Sequence, residues 1–329
     1  MNISKLVNII FSYLYNSLFE KRFRDVPRQM PQHIDRFKLI RDLQPEKHFP
    51  FKVGLYQDPL GLRVVMKIWT GKRKDIHYYD LLHQLTSIQI LNNVHDRVAH
   101  ILPPKYKALS IPNVAFSRHE KHKLILGTKF ILGKPLAKVH DSRRQIQIHN
   151  QVVGYLRFLG RHMTRLEVSQ FRHKLIGEYL CILPLITIAA IFEHPNLFLD
   201  ILRGIWVFVK NISAFTGYYQ STLVHGDLNF RNIYLRGKKI HILDVEQVSY
   251  TYPEFETVTS ISTMGISHGL RNRLFSRISA KSKKDPNYTK RVSSLMINCE
   301  IHNLTWNAPR ENVIWYTNLL KKGISLSPV

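Results

Sequence analysis

The chain has 329 residues, of which 44% are hydrophobic, enough to build a large packed core, so disorder is not expected. Lysine and arginine number 48 against 23 aspartate and glutamate, a formal charge of +25 that suits nucleotides, nucleic acid or acidic lipid and argues against a polycationic substrate. Cys181 and Cys299 lie far apart without metal-type spacing, so neither a disulfide framework nor a zinc site is expected, and a reducing cytoplasm fits.

The opening stretch MNISKLVNIIFSYLYNSLFEKRFR sets Ile3, Leu6, Val7, Ile10, Leu14 and Leu18 on one helical stripe ahead of Lys21, Arg22 and Arg24. It is too short to span a bilayer, and no small-residue cleavage site follows. It reads as an amphipathic helix, either docked on the protein or making peripheral contact with the inner membrane face. Between Phe37 and Trp69, FKVGLY and LRVVMKIW read as antiparallel strands joined by a turn through Asp58 to Gly61. IHYYDLLHQLTSIQILNNV then repeats apolar residues at helical spacing, and IPNVAFS and KLILGTKFILG return to strand character.

From His140 onward the pattern becomes helical, interrupted by the hairpin-like HGDLNFRNIYLRGKKIHILDVEQ. LCILPLITIAAIF, Leu180 to Phe192, is the most apolar segment and reads as a buried core helix, too short and too interrupted by Pro184 to span a membrane. The tail from Phe255 is again mostly helical, and its charged stretch SAKSKKDPNYTK, with Pro286, reads as an exposed loop. The expected fold class is α+β. Residues 1–30 form an N-terminal helix and linker, 31–132 a small β-rich lobe with one main helix, and 133–329 a larger helical lobe.

The hairpin region carries two aspartates, a glutamate and Asn232 within an aliphatic frame. Asp227 follows the strand-like TLVHG, Asn232 comes five residues later, and Asp244 ends the apolar KKIHIL after the tight turn Arg236-Gly237-Lys238. Such a hairpin is expected to bring Asn232 and Asp244 back toward Asp227. Carboxylate and amide oxygens so arranged suit a hard cation such as Mg²⁺, and a carboxylate not held by the metal can orient a hydroxyl for attack on a phosphate.

HGDLNFRN followed by ILDVE resembles the catalytic and metal-binding motifs of the protein-kinase-like fold, specifically its aminoglycoside/choline phosphotransferase branch, with the pattern H-G-D-x-x-x-x-N and then I-D-x-E. The resemblance spans about Phe37 to Glu256 and implies a bilobal fold with ATP between the lobes. It implies Asp227 as the catalytic base, Asn232 and Asp244 as Mg²⁺ ligands, Lys67 of VVMK on the ATP phosphates, and Lys129, Phe130 and Ile131 of GTKFILGKPL as a hinge for adenine. His225 is expected to support the loop rather than move protons.

Departures from the pattern narrow the class. Gly226 stands where many protein kinases carry arginine, Asn229 where they carry lysine, Val245 and Glu246 follow Asp244 in place of Phe-Gly, and IRDLQPEKHFPFKVG lacks a glycine-rich phosphate loop. A glutamate partner for Lys67 is not evident. Asp80 has the right charge, while Gln84 sits better in the apolar pattern and would orient the lysine by a hydrogen bond. DVEQV and VHGDL also resemble RIO-type kinases. The expected function is ATP- and Mg²⁺-dependent transfer of a phosphate to a hydroxyl of a small or lipid-linked acceptor, in the cytoplasm. The alternative is a kinase-fold pseudoenzyme or RIO-like protein binding RNA or an anionic membrane, nucleic acid being the less favoured partner.

Overall fold

Val64, Met66 and Ile68 alternate with Val65, Lys67 and Trp69 along Arg63–Thr70, which puts the two sets on opposite faces of a strand. The protein is described from a computed structural model covering residues 30–43, 51–71, 76–216, 221–262, 268–305 and 310–326. Arg63–Thr70 lies inside a six-stranded antiparallel sheet ordered His33–Ile34, Phe37–Asp42, Lys52–Gln57, Arg63–Thr70, Lys123–Lys129 and Val114–Glu120. Val64, Met66 and Ile68 pack with Met30, Ile34, Phe37, Tyr56 and Ile125 in one core. Each large apolar side chain buried there stabilises the sheet by about 1.5–3 kcal/mol. On the other face, Trp69 meets Tyr78 of the helix Ile76–Arg97 edge-on at 5.0 Å. The turn after Lys52–Gln57 is the expected one. The Asp58 carboxylate accepts the amides of Leu60 and Leu62 at 3.0 and 2.8 Å, and Gly61 takes φ +86°, open to a residue without Cβ.

The chain divides into two compact units, one of residues up to 134 with 162–171 and 234–247, the other of 135–161, 172–233 and 248–329. Residues 234–247 join the first unit through pairing. Ile240 and His241 run parallel to Leu109 and Ser110, and the Ser110 hydroxyl lies 2.8 Å from His241 Nδ1.

The second unit is mostly helical. Its core helix Pro286–Leu304 buries Val292, Leu295, Met296, Ile297 and Ile301. The buried Arg291 is ion-paired to Glu254 at 3.0 Å and to Asp285. A small sheet sets Ser249–Thr251 between Thr222–Val224 and Arg172–Lys174. The helix Ser142–Arg161 backs this sheet closely: a Cβ on Gly160 would fall 2.7 Å from Leu223 Cβ, and Tyr250 donates its hydroxyl to the Gly160 carbonyl at 2.9 Å.

Two expectations need correction. Leu180 to Phe192 is helical, within Ile176–Glu193, but only 33% of that helix is buried. Tyr179, Leu183, Ile186, Ala189 and Ala190 face inward, whereas Leu180, Pro184, Ile188 and Phe192, spaced every fourth residue, face outward. Hydropathy alone did not separate the two faces, because both are apolar. The charged stretch near Pro286 is mostly exposed, as expected, but only residues 283–285 of it lie outside a helix. The helix His268–Ser282 runs into it, and the next helix starts at Pro286, with the Asp285 side chain capping the Asn287 amide at 3.0 Å. Proline tolerates the first helical position because its missing N–H would be unpaired there anyway. The expected N-terminal helix and part of the expected phosphate-covering stretch, residues 44–50, lie outside the described residues.

Candidate active site

Lys67 sits in the middle of its strand, opposite Val53 on one side and Leu126 on the other, and points to the sheet face that carries the helix Ile76–Arg97. Its ammonium lies 2.6 Å from Asp244 Oδ1 and 3.0 Å from Glu246 Oε2, with the Phe51 ring 5.5 Å away. Gln84, 4% exposed, donates its amide nitrogen to Asp244 Oδ1 at 3.4 Å, and its Oε1 is buried with no partner among the described residues. Asp80 lies one helical turn before Gln84, and its charge bears on Glu246. The question of the lysine's partner is thereby answered: Asp244 and Glu246 hold it, and Gln84 braces Asp244. Burial works against the Lys67 charge, but the two carboxylates outweigh it and raise the pKa above the ordinary lysine value. Burial pushes Glu246 up to about 7, Lys67 pulls it back and Asp244 pushes it further up. Asp244 adopts φ +57°, a left-handed conformation uncommon outside glycine.

In the second unit the strand Thr222–Val224 leads into His225, Gly226 and Asp227. His225 is fully buried, and its backbone amide donates to Glu256 Oε1 from the helix Phe255–Ser262. Gly226 takes φ +82°. Leu228 and Phe230 are buried and pin the loop from below, while Asp227 between strand and anchor is exposed. Asn229 donates its amide to both Asp227 carboxylate oxygens at 3.2 Å, and its own Oδ1 accepts the amides of Arg231 and Asn232 at 2.9 and 3.1 Å. Asn232 Nδ2 reaches the Asp227 carbonyl at 3.0 Å and Oδ2 at 3.2 Å. Burial pushes Glu256 up to about 7, against the opposing pull of the His225 amide, Arg157 and the Gly226 amide. His149, whose Nε2 lies 2.7 Å from the Ser260 hydroxyl, is driven down to about 4, first by burial and then by nearby cations.

Two residues that hold this loop went beyond the sequence reading. Asn229 was legible only as a departure, yet it closes the turn and orients the aspartate. Glu256 carried no motif signal at all. Its residue type and position in the first turn of a helix are ordinary, and only the fold reveals that its carboxylate receives the loop amide.

At the expected hinge, the Lys129 amide donates to the Asn113 carbonyl at 3.1 Å and the Phe130 amide to the Arg63 carbonyl at 2.9 Å. Of the three backbone amides, that of Ile131 has no such bond among the described residues.

Amide and carboxylate oxygens of the kind each unit carries suit a hard cation. Among the described residues no three His, Cys, Asp or Glu side chains cluster as a metal cage. Mg²⁺ does not require one, since it keeps waters and takes phosphate oxygens beside one or two protein ligands. In the second unit Asn232 directs its amide nitrogen to Asp227, and its Oδ1 accepts no hydrogen bond among the described residues; in the first unit Asp244 offers a carboxylate.

No family model matches the chain, and no curated protein matches it. Among solved structures it is similar to a mutant aminoglycoside 2'-phosphotransferase-IIIa in its GDP complex, with 13% identity, 96% of this chain and 97% of that one covered, and a TM-score of 0.58. It is similar also to a thermostable mutant of aminoglycoside phosphotransferase APH(4)-Ia with AMP-PNP and hygromycin B, at 10% identity, 96% and 98% coverage and a TM-score of 0.56. Amicoumacin kinase hAmiN with AMP-PNP and Ca²⁺ aligns at 11% identity, 97% and 96% coverage and a TM-score of 0.51. The chain therefore has the α+β, protein-kinase-like fold of these phosphotransferases.

Proposed function

We propose that the chain is a phosphotransferase that moves the γ-phosphate of ATP to a hydroxyl of a small-molecule or lipid-linked acceptor. The observation that carries this reading is the grip of Asp244 and Glu246 on Lys67, an ammonium held charged on a sheet face by residues 177 and 179 positions away in sequence. A partly buried ammonium gripped in this way serves chemistry better than stability, because ion pairs taken out of water contribute little net stabilisation.

In this reading Lys67 binds the α- and β-phosphates. Asp227, aimed by the Asn229 and Asn232 amides, orients the acceptor hydroxyl and accepts its proton as the oxygen attacks the γ-phosphorus in line. The Ile131 amide and neighbouring hinge carbonyls receive the adenine edge. Asn232 Oδ1 and Asp244 would hold Mg²⁺, which when bound neutralises charge on the phosphate oxygens. Relatives in fold are named for aminoglycoside acceptors, but a formal charge of +25 favours a neutral or anionic acceptor here.

Mg²⁺-dependent ADP release, measured over a panel of hydroxyl-bearing metabolites, tests the proposal. Asp227→Asn is expected to lower turnover by about 10²–10⁴, the usual contribution of a positioned base. Equal turnover in wild type and variant removes Asp227 from the reaction. No turnover in either, with RNA binding that weakens with salt, favours a non-catalytic scaffold.

A further inference from the structure

The corrected helix Ile176–Glu193 and its successor Phe198–Lys210 together present an apolar surface to solvent. On the first, Leu180, Pro184, Ile188 and Phe192 follow one another at four-residue spacing, with Cys181 beside them, and no charged residue occurs between Tyr179 and Phe192. On the second, Phe198, Leu199, Leu202, Trp206 and Val209 are exposed, Trp206 to 61% and Leu199 to 65%. Soluble monomers rarely leave so many large apolar side chains of two successive helices in water, since each such side chain gains by leaving it.

We propose that this two-helix face docks the protein on an anionic membrane surface. The inference stands apart from the phosphotransferase reading and uses no residue of that site. The face has the composition of an interfacial helix pair: aliphatic and aromatic side chains that can sink below the headgroups, with a tryptophan, a residue favoured at that depth.

Charge decides between lipid and a second copy of the chain. Arg203 lines the same surface as Leu202 and Trp206, and Lys210 is exposed at the end of that helix. Asp200 of the same helix is neutralised by Lys321 at 3.2 Å. Glu178 and Glu193 sit only at the ends of the first helix. Two copies face to face would bring like charges together on chains that each carry +25, whereas anionic headgroups complement them. Long basic side chains can lie along the apolar face while their charged ends reach the headgroup layer.

Flotation of the full chain with phosphatidylcholine vesicles, with and without phosphatidylglycerol, tests the idea. The wild type is expected to float with the anionic vesicles and to release as salt rises. Ile188→Ser combined with Phe192→Ser should lower the partition coefficient at least about tenfold, equivalent to about 1.4 kcal/mol. Serine adds no charge, so electrostatic repulsion does not account for such a loss, and both positions face solvent, so circular dichroism should remain that of the wild type. Trp206→Ser provides a second, independent variant with the same expected direction. The proposal is overturned by a wild type that does not float. It is overturned equally by variants that float as well as wild type, which would place binding elsewhere in the chain. A wild-type dimer that the double variant dissociates would also overturn it, assigning the face to self-association.

Discussion

Glu256→Gln is the substitution whose effect the structure specifies most closely. In the folded chain burial raises this carboxyl from 4.5 to about 7. Between those values the unfolded chain has released a proton that the native chain still holds, so native stability falls as pH rises through that window and is level above it. At about 1.4 kcal/mol per pH unit, the displacement corresponds to about 3 kcal/mol. A glutamine keeps an oxygen for the His225 amide but carries no titrating proton, so it behaves as the protonated acid at every pH. Urea unfolding of both proteins at pH 4.5 and pH 8 should show similar stabilities in acid and a variant that gains by up to about 3 kcal/mol on the alkaline side. His149, held down to about 4, changes stability in the opposite direction as pH rises, but it is present in both proteins and drops out of the difference. Parallel pH profiles would refute the reasoning, since they would mean that Glu256 titrates in the fold as it does in the unfolded chain. Glu256→Ala is the contrasting change: it leaves the His225 amide buried without an acceptor, which costs about 1–3 kcal/mol at either pH.

Lys67→Met removes the phosphate-binding ammonium and should lower kcat/KM for ATP by about 10²–10³ in the ADP-release assay, the scale seen when one charge-stabilising donor is lost. Asn229→Ala deletes both amide bonds to Asp227 and the turn bonds from Arg231 and Asn232. Turnover should fall while KM for ATP holds, and a rise in KM alone would disprove a role in aiming the aspartate. Gly226→Ala forces a Cβ onto φ +82°, with a destabilisation of about 1–2 kcal/mol that a thermal melt would detect. Glu300→Gln, at a second buried carboxyl raised to about 7 and hydrogen-bonded to Ser262 and Asn303, should flatten the pH dependence of stability as Glu256→Gln does while leaving kcat at the wild-type level.

Elements whose periodicity had a single physical cause were legible from the sequence. The strands around Lys67 alternate because one face is core, and the turn at Asp58 to Gly61 uses the side chain and the glycine that such a turn needs. The stretch Leu180 to Phe192 misled because exposure, not composition, separates its two faces. The charged run at Pro286 misled because proline ends helices in the interior yet begins them at the first turn, and Asp285 as cap was the available signal. In the site, the motif residues were named from the resemblance of HGDLNFRN and ILDVE. The contacts that hold them could not: Glu246 stood in ILDVE without its bond to Lys67, 179 positions away, and Glu256 stood in neither motif, its partner lying 31 positions away.

Gln84 and Glu246 are best understood together. A glutamate on the helix was the expected partner of Lys67, and the helix supplies a neutral amide instead. The lysine already has two carboxylates, both from the short stretch Asp244 to Glu246, and Asp80 adds a further negative charge bearing on Glu246. A carboxylate at position 84 would lie where the Gln84 amide now meets Asp244 Oδ1 at 3.4 Å. At about 4 Å and an effective dielectric of about 20, two like charges repel by about 4 kcal/mol, more than a second-rank ion pair with an already neutralised lysine returns. An amide avoids that repulsion and turns the contact into a donated hydrogen bond. The absent helix glutamate is thus compensated in the chain: its charge has moved to position 246, beside the metal-ligand candidate, so the lysine's orientation depends on the segment that the pairing of Ile240 with Leu109 fixes rather than on the placement of the helix.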